Sequence, residues 1–294
     1  MGHHFGMDFA IIGPEKCGTG WIDTALRQAD SHALPLTLKE TFYFDRHFHL
    51  GPEWHAKLFK TGDGVRGEVS PSYFASSDAL KRLKATSPAC RIVAVLRDPY
   101  ARMASHIVHL ARRGAVQLER SISAIPEKIL IEARHSSHYA ALGQAWREVY
   151  SDEQILFVTY DDIQKNPAAL INRICSHIGI RHTIREDTAL TLSKTIVFEA
   201  RAPRNRLLTR VAYLSSRKMQ AFGFTSFVTA MRNSKLRNIF EKPIGEGTSF
   251  RTELKDHIQR TENFESDIDF AEQVLARPLK EWRNDRHNKN SLPK

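Results

Sequence analysis

The sequence has few cysteines and no long apolar run. Its three cysteines, Cys17, Cys90 and Cys175, are an odd number at wide spacing, which fits neither a disulfide framework nor a CxxC metal site. We therefore predict a reducing compartment, with the cytoplasm as the expected location. No apolar run reaches the ~18 residues of a membrane span, and the start of the chain lacks the charged and apolar regions of a signal peptide. We expect no transmembrane segment, and we interpret residues 1–7 as a tag remnant or a disordered start.

The composition is that of a folded chain with an excess of positive charge. Hydrophobic residues make up 41% and charged residues 26% of the 294 positions, which is far from the composition of a disordered protein. This length suits one large α/β domain or two modest ones. Since no clear linker or repeat interrupts the chain, we predict a single domain over residues 1–294. The net charge of +10 favours anionic partners such as nucleotides, nucleic acid or sulfated sugars, although solubilising surface charge explains it equally well.

Apolar runs that are followed by helical spacing recur three times. The runs at 8–12, 92–96 and 155–159 each end in a turn and lead into a helical pattern. Strands that alternate with helices predict a central, mostly parallel sheet covered by helices on both faces. A shorter run at 65–69 predicts a further strand. The segment 201–242 carries ten lysines or arginines and one acid, and its helical spacing predicts basic helices packed on the same domain.

The segment GPEKCGTGW at 13–21 lies between the first predicted strand and the first predicted helix. Its glycines permit a tight turn in which successive N–H groups point inward, and the N-terminus of the following helix favours an anion. Lys16 adds a positive charge, so we predict a phosphate-binding loop and not an ordinary turn with a surface lysine. It is not a Walker A loop, because no Ser or Thr follows the lysine to hold magnesium. The residues predicted to bind the ligand are Lys16, Cys17, Gly18, Thr19, Gly20 and Trp21.

A second basic motif, RDPYARMAS at 97–105, follows the run at 92–96. Arg97 lies at the carboxyl end of a predicted buried strand, where open α/β sheets bind ligands. Its guanidinium can hold a phosphate through two nitrogens, and the hydroxyl of Ser105 can donate to the same group. We therefore predict a second phosphate site. Arg102 is either a further ligand or a helix residue in a salt bridge.

These residues resemble those of the nucleotide-sulfate-dependent sulfotransferases. GPEKCGTGW is similar to the family's 5′-phosphosulfate loop, and RDPYARMAS is similar to its 3′-phosphate motif. Two further stretches, KETFYFDR at 39–46 and GEVSPSYF at 67–74, are similar to the KEPxFF and EKTPxYF stretches of the branch that includes heparan-type and many bacterial enzymes. The four motifs occur in the family's order, and the resemblance covers nearly the whole chain. It implies a P-loop-like, three-layer α/β fold with a central, mostly parallel sheet flanked by helices.

The resemblance also implies a reaction. The sulfuryl group of 3′-phosphoadenosine 5′-phosphosulfate (PAPS) would move by in-line displacement to a hydroxyl or amine of a carbohydrate or small molecule, with 3′,5′-ADP as product and no metal. Lys16 and the loop amides would stabilise the charge that develops on the leaving 5′-phosphate. Glu68 matches the branch's general base, and desolvation would raise its pKa toward working pH; a salt bridge with Arg66 is the structural alternative. Lys39 matches a lysine near the transferring group, unless it only forms a surface pair with Glu40.

The sequence departs from the family pattern in two places. Val69 replaces a lysine that often follows the glutamate. The glycine-rich, lysine-bearing loop that closes over the donor in the heparan enzymes is absent as such. Arg201 and Arg204 are predicted to bind the donor in its place, unless their run is only a solvated basic face. Trp21 packs either beside the adenine or in the core.

Two other functions fit the residues less well. A P-loop kinase that uses ATP and magnesium requires a Lys-Ser/Thr pair at the end of the loop, which this chain lacks. A non-catalytic, basic polyanion-binding protein would leave Arg97, Ser105 and Glu68 without a joint role. We therefore expect a sulfotransferase that has a saccharide or small-molecule acceptor and no nucleic-acid partner.

Overall fold

The structure of the chain is a computed structural model. It describes residues 6–60, 64–113, 122, 125–181, 183–195, 201–203, 205, 210–212, 214–216, 219, 241–243 and 247–283. Arg204 and most of the segment 201–242, for which basic helices and donor contacts were predicted, therefore lie outside the described residues. Arg201 is described for its backbone alone.

A four-stranded parallel sheet forms the centre of the fold. Its strands are β1 (Phe9–Ile12), β2 (Gly67–Val69), β3 (Arg91–Leu96) and β4 (Ile155–Thr159), in the spatial order β2-β1-β3-β4. In register, Ala10 pairs with Glu68 on one side and with Ile92 on the other. The predicted strands are confirmed within two residues. Because all four strands run in the same direction, their carboxyl ends meet at one edge, where open α/β sheets place ligands.

Helices cover both faces of this sheet. The described helices are α1 (Thr19–Ala29), α2 (Pro52–Ala56), α3 (Ser77–Thr86), α4 (Pro99–Arg112), α5 (Glu127–His135), α6 (Tyr139–Val149), α7 (Tyr160–Lys165), α8 (Pro167–Ile178), α9 (Glu186–Thr195), α10 (Gly247–Thr261) and α11 (Glu265–Leu275). A π-helical turn spans Tyr43–His47, and short 3-10 segments span Phe48–Leu50, Pro71–Ala75 and Lys280–Trp282. Among the described residues, no helix is both long and apolar enough to cross a membrane.

Two hydrophobic clusters lie on opposite faces of the sheet. Side chains alternate along a strand, so Ala10 and Ile12 join the cluster that includes α3, α4, α6, α10 and α11. Phe9 and Ile11 join the cluster that includes α1, α8 and α9. The strand residues are almost fully buried on both sides, which is typical of a parallel sheet between two helical layers. The predicted three-layer α/β architecture is confirmed.

Local capping sets the start of the helix that follows β3. The side chain of Asp98 accepts hydrogen bonds from the amides of Tyr100 at 3.0 Å and Ala101 at 3.3 Å. Pro99 occupies the first helical position, where its missing N–H costs nothing. This turn brings the chain back at the carboxyl edge of β3 and leaves Arg97 directly at that edge.

The prediction of helices throughout 201–242 is wrong at both ends of that segment. Arg201–Pro203 forms strand β5, which pairs antiparallel with strand β6, Glu241–Pro243. A proline disfavours the helical region for the residue before it, so Pro203 and Pro243 keep Ala202 and Lys242 extended. Strand β5 lies beside α4, the helix that carries Ser105.

The tight start of the phosphate loop leads to a stability prediction. Gly13 has a φ of 129°, and a Cβ added there would lie 2.4 Å from the carbonyl oxygen of Val95. Since β3 backbone cannot yield, we expect Gly13→Ala to lower the free energy of unfolding by roughly 3 kcal/mol or more. Gly64→Ala is the matched control, because no atom of the described residues lies within 4 Å of its added Cβ. Urea denaturation measures both variants; equal midpoints would contradict this account of the loop.

Candidate active site

The loop between β1 and α1 has the geometry of an anion cradle. Gly18 is the N-cap of α1 with a φ of 90°, and Lys16 also has a positive φ of 77°. The first amides of a helix have no intrahelical acceptor, and neither a capping side chain nor an acidic residue occupies the first turn of α1. The amides of Thr19 and Gly20 therefore begin a helix whose positive end carries no acidic side chain.

Two arginines of the motif at 97–105 donate hydrogen bonds to carbonyl oxygens of this loop. Arg97 donates from Nη1 to the carbonyl oxygen of Lys16 at 2.9 Å, and Arg102 donates from Nη1 to that of Glu15 at 3.3 Å. Arg102 is fully buried and also donates to Ser137 Oγ at 2.8 Å and to a carbonyl of α5. Arg102 therefore fixes the loop. Among the described residues no carboxylate forms a salt bridge with it, and its role as a ligand stays a prediction.

Arg97 lies at the predicted edge, beside the phosphate loop. Its guanidinium carbon lies 4.3 Å from the centroid of the Tyr160 ring, and its own carbonyl accepts a hydrogen bond from Tyr139 Oη at 2.7 Å. A guanidinium has five N–H donors, so donors remain for a ligand after the bond to Lys16. Ser105 lies on α4, where its side chain is buried.

Glu68 is the middle residue of β2, is completely buried and accepts hydrogen bonds from three hydroxyls. Tyr73 Oη donates to Oε1 at 2.7 Å, Ser70 Oγ donates to Oε2 at 3.1 Å, and Thr41 Oγ1 also donates to Oε2. The partners of Glu68 are hydroxyls and not Arg66, the predicted alternative. Burial raises the pKa of Glu68 to about 7, and the three hydrogen bonds oppose this shift only in part. The carboxyl group is thus poised to exchange a proton near neutral pH.

His55 lies against this carboxyl group as a neutral ring. Its Nε2 is 3.8 Å from Glu68 Oε1 and has no hydrogen-bond partner in the described part of the chain. Its ring stacks on that of Tyr43 at 4.2 Å. Burial lowers the pKa of His55 to about 3. His55 therefore adds no positive charge beside Glu68, and it contributes to the apolar surroundings that raise the carboxyl pKa.

The segment that covers Glu68 has an unusual backbone. Phe42 has a φ of 52° and is followed directly by the π-helical turn Tyr43–His47. A bulky residue in the left-handed region and a π-turn are both uncommon and are found preferentially at functional sites. Thr41 and Tyr43, which flank Phe42, are themselves buried against the Glu68 site.

The ammonium group of Lys39 lies near the first turn of α1, next to the phosphate loop. Its Nζ would be 3.8 Å from a Cβ placed on Gly20, and it also forms an ion pair with Glu40 at 2.9 Å. The two predictions for Lys39 are therefore compatible, because the pair with Glu40 holds the ammonium beside the loop. Its part in the reaction stays a prediction.

Two of the predicted ligands can contribute only through their backbone in this conformation. The side chains of Cys17 and Trp21 are 0% and 2% exposed and belong to the core cluster around α1. Of the two alternatives for Trp21, core packing is therefore the one observed, although its Nε1 has no hydrogen-bond partner within the described ranges. Burial raises the pKa of the Cys17 thiol to about 12, which leaves it protonated and unreactive.

Sequence reasoning missed several residues of the site. Thr41, Tyr73 and His55 surround Glu68, and Arg251 on α10 lies near Arg97. Thr41 and Tyr73 fall inside motifs that were recognised, yet nothing in those motifs indicates that their hydroxyls point at Glu68. Arg251 stands alone in a polar helical pattern, so no sequence signal distinguishes it. Within the described ranges, no group of three or more His, Cys, Asp or Glu side chains is placed to hold a metal ion.

The sheet order, the loop after β1 and the arginine after β3 define a P-loop-like α/β protein. A family model described as "Sulfotransferase domain" matches residues 7–264. The chain therefore belongs to the sulfotransferase family, a family of enzymes, and the resemblance seen in its motifs is confirmed. Enzymes of this family transfer a sulfuryl group from PAPS to carbohydrate or small-molecule acceptors.

Known proteins similar to this chain include heparan sulfate enzymes. Heparan sulfate glucosamine 3-O-sulfotransferase 6 of Homo sapiens is 26% identical over 193 residues, which are 60% of this chain and 53% of that protein. Bifunctional heparan sulfate N-deacetylase/N-sulfotransferase 2 of Homo sapiens is 26% identical over 196 residues, 58% of this chain and 22% of that protein. The chain thus spans about half of the first relative's length and less of the second's.

A solved structure shares the fold. The sulfotransferase from Alicyclobacillus acidocaldarius superposes with a TM-score of 0.62 at 19% identity, and the match covers 95% of this chain and 99% of that chain. At this identity the likeness shows the fold alone.

Proposed function

We propose that this protein transfers the sulfuryl group of PAPS to a hydroxyl or amine of a saccharide or small-molecule acceptor. The observation that carries the proposal is the order of the sheet. The phosphate loop follows β1, Glu68 lies in the neighbouring strand β2 on one side, and Arg97 follows β3 on the other. A donor bound at the loop would therefore have a base on one side and a second cation on the other.

The donor half of the proposal assigns one phosphate to each cation. The 5′-phosphosulfate lies at the loop, where Lys16 and the amides of Gly18, Thr19 and Gly20 stabilise the charge that develops as the bond from sulfur to the bridging oxygen breaks. The 3′-phosphate lies at Arg97 and Ser105. The backbone of Cys17 and Trp21 completes the loop, and Arg201 and Arg204 are assigned to further contacts with the donor.

The acceptor half assigns the base to Glu68. As the acceptor oxygen or nitrogen forms its bond to sulfur, its proton passes to Glu68, and 3′,5′-ADP leaves. A carboxyl group with a pKa of about 7 is well matched to this task, since base strength and the ionised fraction are then both useful at neutral pH. Lys39, beside the loop, balances charge on the moving sulfuryl group.

Access to Glu68 requires movement of its cover. Glu68, Thr41 and Tyr73 are all at most 1% exposed, so an acceptor cannot touch the carboxylate in this conformation. The strained residue Phe42 and the π-turn after it are the part of the cover with the least regular backbone. We infer that this segment shifts when the acceptor binds. Until then, the closed segment excludes water from the site.

Metal-independent donor binding tests the proposal. Calorimetric titration of 3′,5′-ADP in the presence of EDTA is expected to give binding, and radiolabelled PAPS is expected to label an acceptor under the same conditions. Heparan-type saccharides with free hydroxyls or with free amines form the first acceptor panel, because the similar proteins named above act on such chains. A single domain and a cytoplasmic location stay predictions.

The other functions predict different results in this assay. A P-loop kinase would bind ATP only with magnesium and would not bind 3′,5′-ADP in EDTA. A non-catalytic basic protein would bind heparin without any transfer of label and with no preference for a nucleotide. Either result would overturn the proposal.

A further inference from the structure

Arg251 is a half-buried arginine whose charge is not balanced by any described carboxylate. It lies on α10, one turn before the buried Leu254 and two turns before Ile258, which anchor this helix on the same core cluster as α4. Its position three residues before Leu254 turns its side chain toward the protein. The Nε atom of Arg251 is buried and has no hydrogen-bond partner among the described residues.

The neighbours of Arg251 are Arg97 and Tyr160. Burial is the larger cause that lowers the pKa of Arg251, and the positive charge of Arg97 adds to it, while Tyr160 acts in the opposite direction. Arg97 itself lies over the Tyr160 ring. A Cβ on Gly18 would lie 2.8 Å from a carbon of the same ring. Lys255, one turn after Arg251 on α10, pairs with Asp98, the residue after Arg97, at 2.7 Å. Arg251 therefore lies on the part of α10 that packs near Arg97, and the ring of Tyr160 under Arg97 lies beside the phosphate loop.

The acids of this region are engaged elsewhere. Asp98 caps α4 and pairs with Lys255 at 2.7 Å, and Glu262 pairs with Arg134 at 2.7 Å. In the portion of the chain that the structure describes, no carboxylate lies within ion-pair distance of Arg97 or Arg251. Two like charges that are partly removed from water and lack a counter-ion repel each other. A bound dianion would remove that repulsion.

We propose that Arg251 is a specificity-determining residue which, together with Arg97, binds the 3′-phosphate of the donor. This inference rests on the proposed function. It places the 3′-phosphate on the β4 side of the loop, at Tyr160, whereas Glu68 and β2 lie on the other side of β1. The buried Nε–H and one Nη–H of Arg251 supply a forked pair of donors, the geometry that matches phosphate oxygens.

Nucleotide selectivity of an Arg251 variant tests this inference. We expect Arg251→Gln to raise the Kd for 3′,5′-ADP by about tenfold or more, because it removes charge-assisted hydrogen bonds. The Kd for 5′-AMP, which lacks the 3′-phosphate, is expected to change by less than about threefold. Arg260→Gln is the matched control, since Arg260 is an exposed arginine on the same helix and is expected to leave both Kd values unchanged. Calorimetry in EDTA measures all four combinations.

Each outcome separates this inference from the function on which it rests. If the unmodified protein does not bind 3′,5′-ADP, the proposed function itself is wrong. If it binds and Arg251→Gln binds equally well, only the role of Arg251 is wrong. An equal loss for both nucleotides, with a lower Tm, would assign Arg251 to packing and overturn the inference. Should Arg251→Gln fail to fold, Arg251→Lys decides: it keeps the charge but loses the fork, and a selective loss for 3′,5′-ADP is expected.

Discussion

Replacing Glu68 by glutamine is expected to lower kcat for sulfuryl transfer by about 10²- to 10⁴-fold, the usual contribution of a general base. Gln keeps the size of the side chain but cannot accept a proton. The affinity for 3′,5′-ADP is expected to stay unchanged, because Glu68 lies on β2, away from Arg97 and Tyr160. Steady-state transfer from labelled PAPS and calorimetry with 3′,5′-ADP measure the two quantities.

The matched control for this prediction is Glu148→Gln. Glu148 is an exposed acid on α6, and its replacement removes the same charge from the surface without a loss of rate. Unchanged turnover in Glu68→Gln would assign Glu68 to structure alone, as an acceptor for the hydroxyls of Thr41, Ser70 and Tyr73.

The pH dependence of the same pair of proteins gives a second check. The base is active when ionised, so kcat/KM is expected to rise as the pH approaches about 7, the raised pKa of Glu68, and to level off above it.

The stability of the fold is expected to change with pH in the opposite direction. The pKa of Glu68 is higher in the folded than in the unfolded state, so its protonation stabilises the fold by roughly 3 kcal/mol when the pH lies below the unfolded-state pKa. This contribution is lost as the pH rises through about 7. The difference in free energy of unfolding between the native protein and Glu68→Gln isolates this change, because the titration of His55 contributes to both proteins and cancels in the difference.

Lys16→Met is expected to lower kcat by about 10²- to 10³-fold, the cost of removing one group that stabilises developing charge in a transition state. Met has a similar length and no charge, so the packing of the loop is retained. The effect on the Kd for 3′,5′-ADP is expected to be smaller than the effect on kcat, because the charge on the 5′-phosphate grows as the sulfuryl group departs.

Lys81→Met on α3 serves as the control, since Lys81 is exposed and its loss lowers the net charge equally. Radiolabelled transfer at saturating PAPS measures kcat for both variants. If Lys16→Met and Lys81→Met lose equal activity, the protein attracts its donor through net charge alone, and the loop does not stabilise the leaving phosphate.

The parts of the fold that were predicted correctly have local signals. The apolar runs of β1, β3 and β4 and the helical spacing after them depend on residues no more than a few positions apart. The loop before Thr19 likewise lies within a single turn of chain. Strand β5 was missed for the opposite reason, because its partner β6 is far away along the chain, and only pairing with it makes Arg201–Pro203 a strand.

The sequence by itself determined where the phosphate loop, Arg97 and Glu68 lie in the chain, and the motifs around them determined the family. Only the tertiary structure decided that β2 and β3 flank β1, so that the acid and the second cation stand on opposite sides of the loop. It also decided the burial of Glu68 beneath Thr41, Tyr73 and His55, and the approach of Arg251 to Arg97. These features depend on which distant side chains exclude water from a group, and such exclusion, which sets a pKa or leaves a charge unpaired, exists only when the chain has folded.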